Sequence, residues 1–166
     1  MTVPVLDLPR AEEKLREEIF EALRRVNERS WYVLGKETES FEKSYAKYCE
    51  VSYALGVGCG TDALQLTLHA LGVCAGDLVV TVANTAVPTV MAIRLCGAIP
   101  LFSDVDAKRG TMCPAALSTV LKSAKDKPKA IIPVHLYGQA AAMDEINEVA
   151  QQYQIPVIED ACQAHG

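Results

Sequence analysis

Basic charge is in short supply in this chain: 16 lysines and arginines face 21 aspartates and glutamates, for a net charge of -5 and a pI near 5.2. This balance offers no basic patch to hold nucleic acid, and a nucleic-acid role is not expected. No apolar run reaches the roughly 18 to 20 residues needed to span a bilayer. The N-terminus lacks a basic segment followed by an apolar core, and the cytoplasm is the expected compartment. Among the six cysteines, Cys49, Cys59, Cys74, Cys96, Cys113 and Cys162, no two form a C-x-x-C pair, so metal-ligand spacing is absent. Most lie in or beside apolar segments and are expected to be small buried side chains in a reducing compartment. Repeats, low-complexity stretches and linkers are also missing. What is present is 166 residues that are 50% hydrophobic, enough to bury the core of one domain or most of one.

Periodicity alternates between helical and strand-like along the chain. Ala11–Asn27 and Glu37–Cys49 carry apolar residues at helical spacing, and the mixed charges between Glu12 and Arg29 read as a solvated face. Between them, Trp31-Tyr32-Val33-Leu34-Gly35 is apolar and too short for a packed helix, a candidate docking segment for a second subunit. Strands are predicted at Tyr53–Val57, Leu78–Ala83, Ile99–Asp104, Ala130–His135 and Pro156–Glu159. Helices are predicted at Ala63–Leu71, Pro88–Leu95, Pro114–Lys122 and Met143–Tyr153, and Lys36 in a turn. This βαβ alternation predicts an α/β fold, a mostly parallel sheet with helices on both faces.

Two segments carry polar groups where chemistry is expected. Asp160 ends the apolar run Pro156-Val157-Ile158, and polar groups at the C-terminal end of a parallel sheet face a ligand crevice. It is a candidate to bind a protonated ring nitrogen; capping a following helix is the alternative. Gly58-Cys59-Gly60-Thr61-Asp62 forms a glycine turn before a helix that stops at Gly72. The amides of Gly60 and Thr61 and the Thr61 hydroxyl suit a phosphate, whereas a tight turn with Thr61 or Asp62 as N-cap would be purely structural. The turn is not a dinucleotide fingerprint, because Thr61 stands where the third glycine of G-x-G-x-x-G belongs. His135 ends a strand beside a crevice and can serve a ligand or a structural hydrogen bond; His69 reads as a surface or packing residue.

Four segments together, Gly58-Cys59-Gly60-Thr61-Asp62-Ala63-Leu64, Val82-Ala83-Asn84-Thr85, Pro133–Gln139 and Glu159–Gly166, resemble the DegT/DnrJ family of pyridoxal-phosphate-dependent nucleotide-sugar aminotransferases over nearly the whole chain. The resemblance implies the large domain of the aspartate-aminotransferase fold, truncated, with pyridoxal 5'-phosphate as cofactor and a homodimer as the full-length assembly. It implies transfer of an amino group from an amino-acid donor, usually glutamate, to a nucleotide-linked keto-deoxysugar. Residues 1–35 would be an N-terminal helix and docking segment. Residues 36–166 would be part of the cofactor-binding large domain, the rest of it and a small C-terminal domain being absent.

Carried over by position, Gly60 and Thr61 match residues that hold the cofactor phosphate, Asp160 the partner of the pyridine nitrogen, and Gln163 the partner of the ring hydroxyl. Ala86 stands where many members place an aromatic residue on the ring, and Cys59 where many have serine. His165 matches a structural partner rather than a base. The resemblance places the lysine of the internal aldimine beyond Gly166, and no lysine follows Lys129. No catalytic residue is therefore assigned within the chain, which is expected to be inactive alone. A related dehydratase, with histidine in place of that lysine, and a non-catalytic nucleotide-sugar-binding or pairing chain remain the alternatives.

Overall fold

Leu78-Val79-Val80-Thr81-Val82 is apolar or β-branched along its length, the pattern of a strand covered on both faces. It is the central strand of the sheet in the computed structural model, which describes residue 4 and residues 7–165. Gly166, the last residue of the motif that begins at Glu159, lies outside the described residues. The chain divides into two compact units, 1–56 and 57–166.

In the first unit, α1 (Leu8–Glu12) leads through a 3-10 turn at Glu13–Leu15 into α2 (Arg16–Arg29), where the sequence predicts one continuous helix. Ser30 closes α2 in the left-handed region at φ 51°. The third helix, α3 (Lys36–Tyr48), begins at Lys36, which is helical and not in a turn. Glu37 accepts from Arg25 at 3.3 Å and Arg29 at 2.8 Å, joining α3 to α2; these hydrogen bonds hold its carboxyl below the usual range. Trp31, Tyr32, Val33 and Leu34 are all exposed. The strand predicted at Tyr53–Val57 does not form. The Gly56 amide goes to the Glu42 carboxylate at 2.8 Å and no neighbouring strand supplies a ladder, leaving Tyr53 and Leu55 exposed.

The second unit holds α4 (Gly60–Ala70), β1 (Leu78–Val82), α5 (Val87–Leu95), β2 (Ile99–Ser103), α6 (Pro114–Ser123), β3 (Ala130–Ile131) and α7 (Met143–Tyr153). The strand order is β2-β1-β3 and every pairing is parallel. Register runs from Leu78 opposite Ile99 to Val82 opposite Ser103, and Val79 lies opposite Ala130. The long strand predicted over Ala130–His135 breaks after Ile131, and Pro156–Glu159 pairs with it only through single bridges, Ile131 to Val157 and Val134 to Asp160. Proline explains the break. Pro133 and Pro156 have no N–H to give, yet their carbonyls accept from Asp160 and Ile131, both at 3.0 Å, so the segments run side by side without a full ladder.

The pleat sorts apolar residues between two cores. Val79, Ala130 and Ile132 pack with Leu64 and Leu68 of α4 and Ala92 and Ile93 of α5. Val80, Val82 and Ile131, one step out of phase, pack with Leu117 and Leu121 of α6 and Ile146 and Ala150 of α7. Helices thus cover both faces of a parallel sheet, the α/β class that the sequence predicts. Burial of one such leucine or isoleucine contributes about 1.5–3 kcal/mol. Gly97 ends α5 at φ +73°, where an added Cβ would stand 2.9 Å from that of Ala75, so both the backbone and the packing require glycine.

Candidate functional site

The C-terminal ends of β1, of the Ala130–His135 run and of the Pro156–Asp160 segment open onto one cavity of about 260 Å³, closed on one side by the start of α4. Gly60, Thr61, Ala86, Asp160 and Gln163 all line it, although most of the second unit separates the first of them from the last in sequence. Parallel topology achieves this, because each strand delivers its following loop to the same edge. None of the lining residues is a lysine.

The helix start is open. Cys59 is the N-cap of α4 in extended conformation and makes no side-chain capping bond, so the structural alternative with Thr61 or Asp62 as N-cap is not realised. The first intrahelical bond is donated by Ala63 to the Cys59 carbonyl at 3.1 Å, which leaves the amides of Gly60, Thr61 and Asp62 without helical acceptors. Eleven residues of aligned dipole stand behind them. The helix therefore begins at Gly60, three residues before the sequence predicts. Gly60 is needed for packing: a Cβ there would lie 2.7 Å from the Cys162 sulfur.

Asp160 is buried, at 7% exposure, yet its carboxylate has donors on both oxygens. The Thr89 hydroxyl donates to Oδ2 at 2.7 Å and the Cys162 amide to Oδ1 at 3.3 Å. The backbone on either side is clamped to the neighbouring run, with the Asp160 amide donating to Pro133 and the His135 amide to Asp160, both at 3.0 Å. The alternative role of Asp160 as a cap fails, since only a turn and no helix follows it. Partial burial and the adjacent Asp160 carboxylate push the Cys162 thiol up to about 11.

The neighbouring groups are oriented by hydrogen bonds. The Gln163 Oε1 accepts from the Tyr137 amide at 2.7 Å, and because that amide can only donate, the Nε2 end of Gln163 is the end left for an acceptor. Tyr137 itself sits at φ 56° in a 3-10 turn, Leu136–Gly138. The Ala141 amide donates to His135 Nδ1 at 3.2 Å, which fixes the proton on Nε2, where it goes to Glu159 at 3.0 Å. His135, at 5% exposure, thus has both ring nitrogens engaged by protein and takes the structural one of the two roles open to it in the sequence. Ala86 offers the cavity a methyl group and no ring. Thr85 and Thr89 were not assigned as site residues, although Thr85 ends one of the four family-like segments and stands at i, i+4 spacing to Thr89 in Thr85-Ala86-Val87-Pro88-Thr89.

The cysteines depart from expectation. All six are free thiols, but only Cys96 is buried; Cys49, Cys59, Cys74 and Cys162 are exposed. Apolar neighbours in sequence misled here, because Cys49 and Cys59 are helix caps and Cys74 and Cys162 lie beside or in turns, outside the two buried cores. No cluster of histidine, cysteine and carboxylates able to hold a metal occurs among the described residues.

The second unit is thus a parallel α/β fold that gathers a helix start with unpaired amides and a buried carboxylate around one cavity at the C-terminal edge of its sheet. The chain belongs to the DegT/DnrJ/EryC1/StrS aminotransferase family, whose profile it matches over residues 13–166. It is 39% identical over 164 residues to the dTDP-3-amino-3,6-dideoxy-alpha-D-galactopyranose transaminase of Aneurinibacillus thermoaerophilus, aligning 99% of this chain with 44% of that protein. With the dTDP-3-amino-3,4,6-trideoxy-alpha-D-glucose transaminase of Streptomyces venezuelae it shares 40% identity, covering 99% of this chain and 42% of the relative. The structure superposes on S. venezuelae DesV in complex with a ketimine intermediate with a TM-score of 0.94 at 40% identity, covering 99% of this chain and 43% of that one. It superposes on NtdA of Bacillus subtilis with bound cofactor PMP at a TM-score of 0.91 and 32% identity, covering 98% and 37%. The chain spans less than half the length of these relatives.

Proposed function

We propose that the cavity holds pyridoxal 5'-phosphate and its amine form, and that the chain is the cofactor-holding portion of an aminotransferase acting on a nucleotide-linked keto-deoxysugar, with an amino acid such as glutamate as donor. The observation that carries this reading is the convergence of unpaired α4 amides and a buried, doubly hydrogen-bonded carboxylate on one cavity. The residues fit the group. Amides at Gly60 and Thr61, with the Thr61 hydroxyl, supply donors for a phosphate at the positive end of a helix. The Asp160 carboxylate supplies an acceptor that would hold a proton on a ring nitrogen. Gln163 turns its Nε2 donor toward an acceptor such as a ring oxygen. Ala86 replaces an aromatic stack by a methyl contact.

When bound, the protonated ring supplies an electron sink for the bonds broken around the substrate nitrogen. The chain's own residues bind and orient it: phosphate at one end, nitrogen at the other, ring hydroxyl at Gln163. Because no lysine lines the cavity, we propose that the proton-shuttling lysine comes from outside residues 1–166, in a homodimeric cytoplasmic enzyme. The dTDP-amino-sugar transaminases among its relatives support the choice of substrate class.

The test is equilibrium binding of pyridoxamine phosphate to the purified chain. We expect saturable binding that inorganic phosphate displaces. Loss of a hydrogen bond to a charged group costs about 1.5–3 kcal/mol, so Asp160→Ala should weaken binding by roughly 10- to 100-fold. Borohydride with pyridoxal phosphate should leave no single stoichiometric lysine adduct. Absence of binding in the unaltered chain would overturn the reading.

A further inference from the structure

Asp160 is 71 positions from the residue that touches its Oδ2. The three helical threonines with hydroxyl bonds behave differently. Thr67 in α4 and Thr119 in α6 are exposed and donate to the carbonyls of Ala63 and Ala115, four residues back, at 2.7 and 3.0 Å. That is the ordinary local habit of a threonine in a helix. Thr89, on the first turn of α5, is 1% exposed and instead sends its only proton across the sheet edge to Asp160. Its oxygen lies 2.8 Å from the Thr85 hydroxyl. With the Thr89 proton committed to a carboxylate, Thr85 must be the donor of that contact. The result is an oriented chain, Thr85 to Thr89 to Asp160, that ends at a cavity wall to which all three residues contribute.

From this geometry we propose that Thr89, seconded by Thr85, is a positioning residue that fixes the plane of the Asp160 carboxylate and keeps it an acceptor toward the cavity. The inference rests on the reading of the cavity as a pyridoxal-phosphate site. The Asp160 backbone is held by its bridge to Val134, but its carboxylate would otherwise rotate about the terminal torsion, which is broad for aspartate. The Cys162 amide restrains one oxygen at 3.3 Å, a long bond, so the 2.7 Å bond from Thr89 decides the orientation. Phosphate binding at the start of α4 draws on neither hydroxyl. The two ends of the cavity are therefore separable by experiment.

The experiment compares pyridoxamine phosphate and inorganic phosphate binding to the unaltered chain, Thr89→Val, Thr89→Ser and Thr85→Val. Thr89→Val should weaken pyridoxamine phosphate about 10-fold, the effect of one lost charge-assisted hydrogen bond, while phosphate affinity stays within about 2-fold. Thr89→Ser keeps the hydroxyl and should restore pyridoxamine phosphate affinity. In an Asp160→Asn background, Thr89→Val should add less than about 2-fold, because the interaction it removes is already broken. Should Thr89→Val not fold, Thr85→Val carries the test, with an expected loss of about 3-fold for pyridoxamine phosphate alone, the modest share expected of a bond one step removed. Equal losses for both ligands, no rescue by serine, or unchanged binding in the Thr85 variant when it alone folds would overturn the inference. If the unaltered chain binds phosphate but not pyridoxamine phosphate, the cofactor reading fails and this inference with it; binding that Thr89→Val leaves unchanged overturns the inference alone.

Discussion

Two residues in contact, Gly60 and Cys162, couple the helix start to the segment bearing Asp160. Gly60→Ala would place a methyl 2.7 Å from a sulfur, so one of the two segments must shift. Overpacking of this kind costs about 1–3 kcal/mol, and thermal unfolding should show it as a lowered midpoint. Cys162→Ala in the same chain should recover most of the loss. The Cys162 thiol offers a second check. Its pKa rises from 9.0 to about 11, so at pH 8.5 the folded thiolate fraction should be roughly 100-fold below that of the unfolded chain, and iodoacetamide should modify it correspondingly slowly. A raised folded pKa favours the protonated native form. Its contribution to stability is complete below pH 9 and disappears as pH rises through 11.

At the scale of elements, the sheet was the most legible part and its ends the least. β1, α5, α6 and α7 stand where the apolar pattern and the capping signals put them, since periodicity reports burial and these elements are buried on the faces it names. Tyr53–Val57 has the composition of a strand but nothing to pair with, a fact no local pattern contains. Pro133 could have been read as a break in the ladder from sequence, because its missing N–H is a property of the residue. Gly60, Thr61, Ala86, Asp160 and Gln163 could be brought together on paper only through the resemblance and the parallel topology. The hydroxyl chain behind Asp160 depends on side-chain rotamers and was out of reach. One glycine tests the reading of element ends: Gly97→Ala forces an alanine to φ +73° and against Ala75, and should lower the unfolding midpoint. Gly110→Ala, at φ +70° with open space around its Cβ, should cost less.

For the molecule as a whole, apolar surface is unevenly spent. Val87, Met91 and Leu95 recur every four residues along α5 and remain exposed, as do Ile99 and Phe102 on β2, the strand at one end of the order β2-β1-β3. An edge of this composition invites association. Met91→Glu with Phe102→Lys should therefore reduce concentration-dependent self-association in sedimentation velocity, while far-UV circular dichroism stays unchanged.

The cavity between Cys59 and Gln163 recruits the loop after each strand position of the second unit but one, so no smaller piece of that unit contains a complete ligand contact set. Its occupant would act on folding as a whole. A ligand present at about 100 times its dissociation constant adds about 2.7 kcal/mol to the folded side of the equilibrium, spread over every element that must be in place to greet it. Amide hydrogen exchange deep in α6 and α7, far from any atom the ligand touches, should slow together with exchange at the cavity wall, so the small molecule serves the chain as a late-arriving piece of its own core.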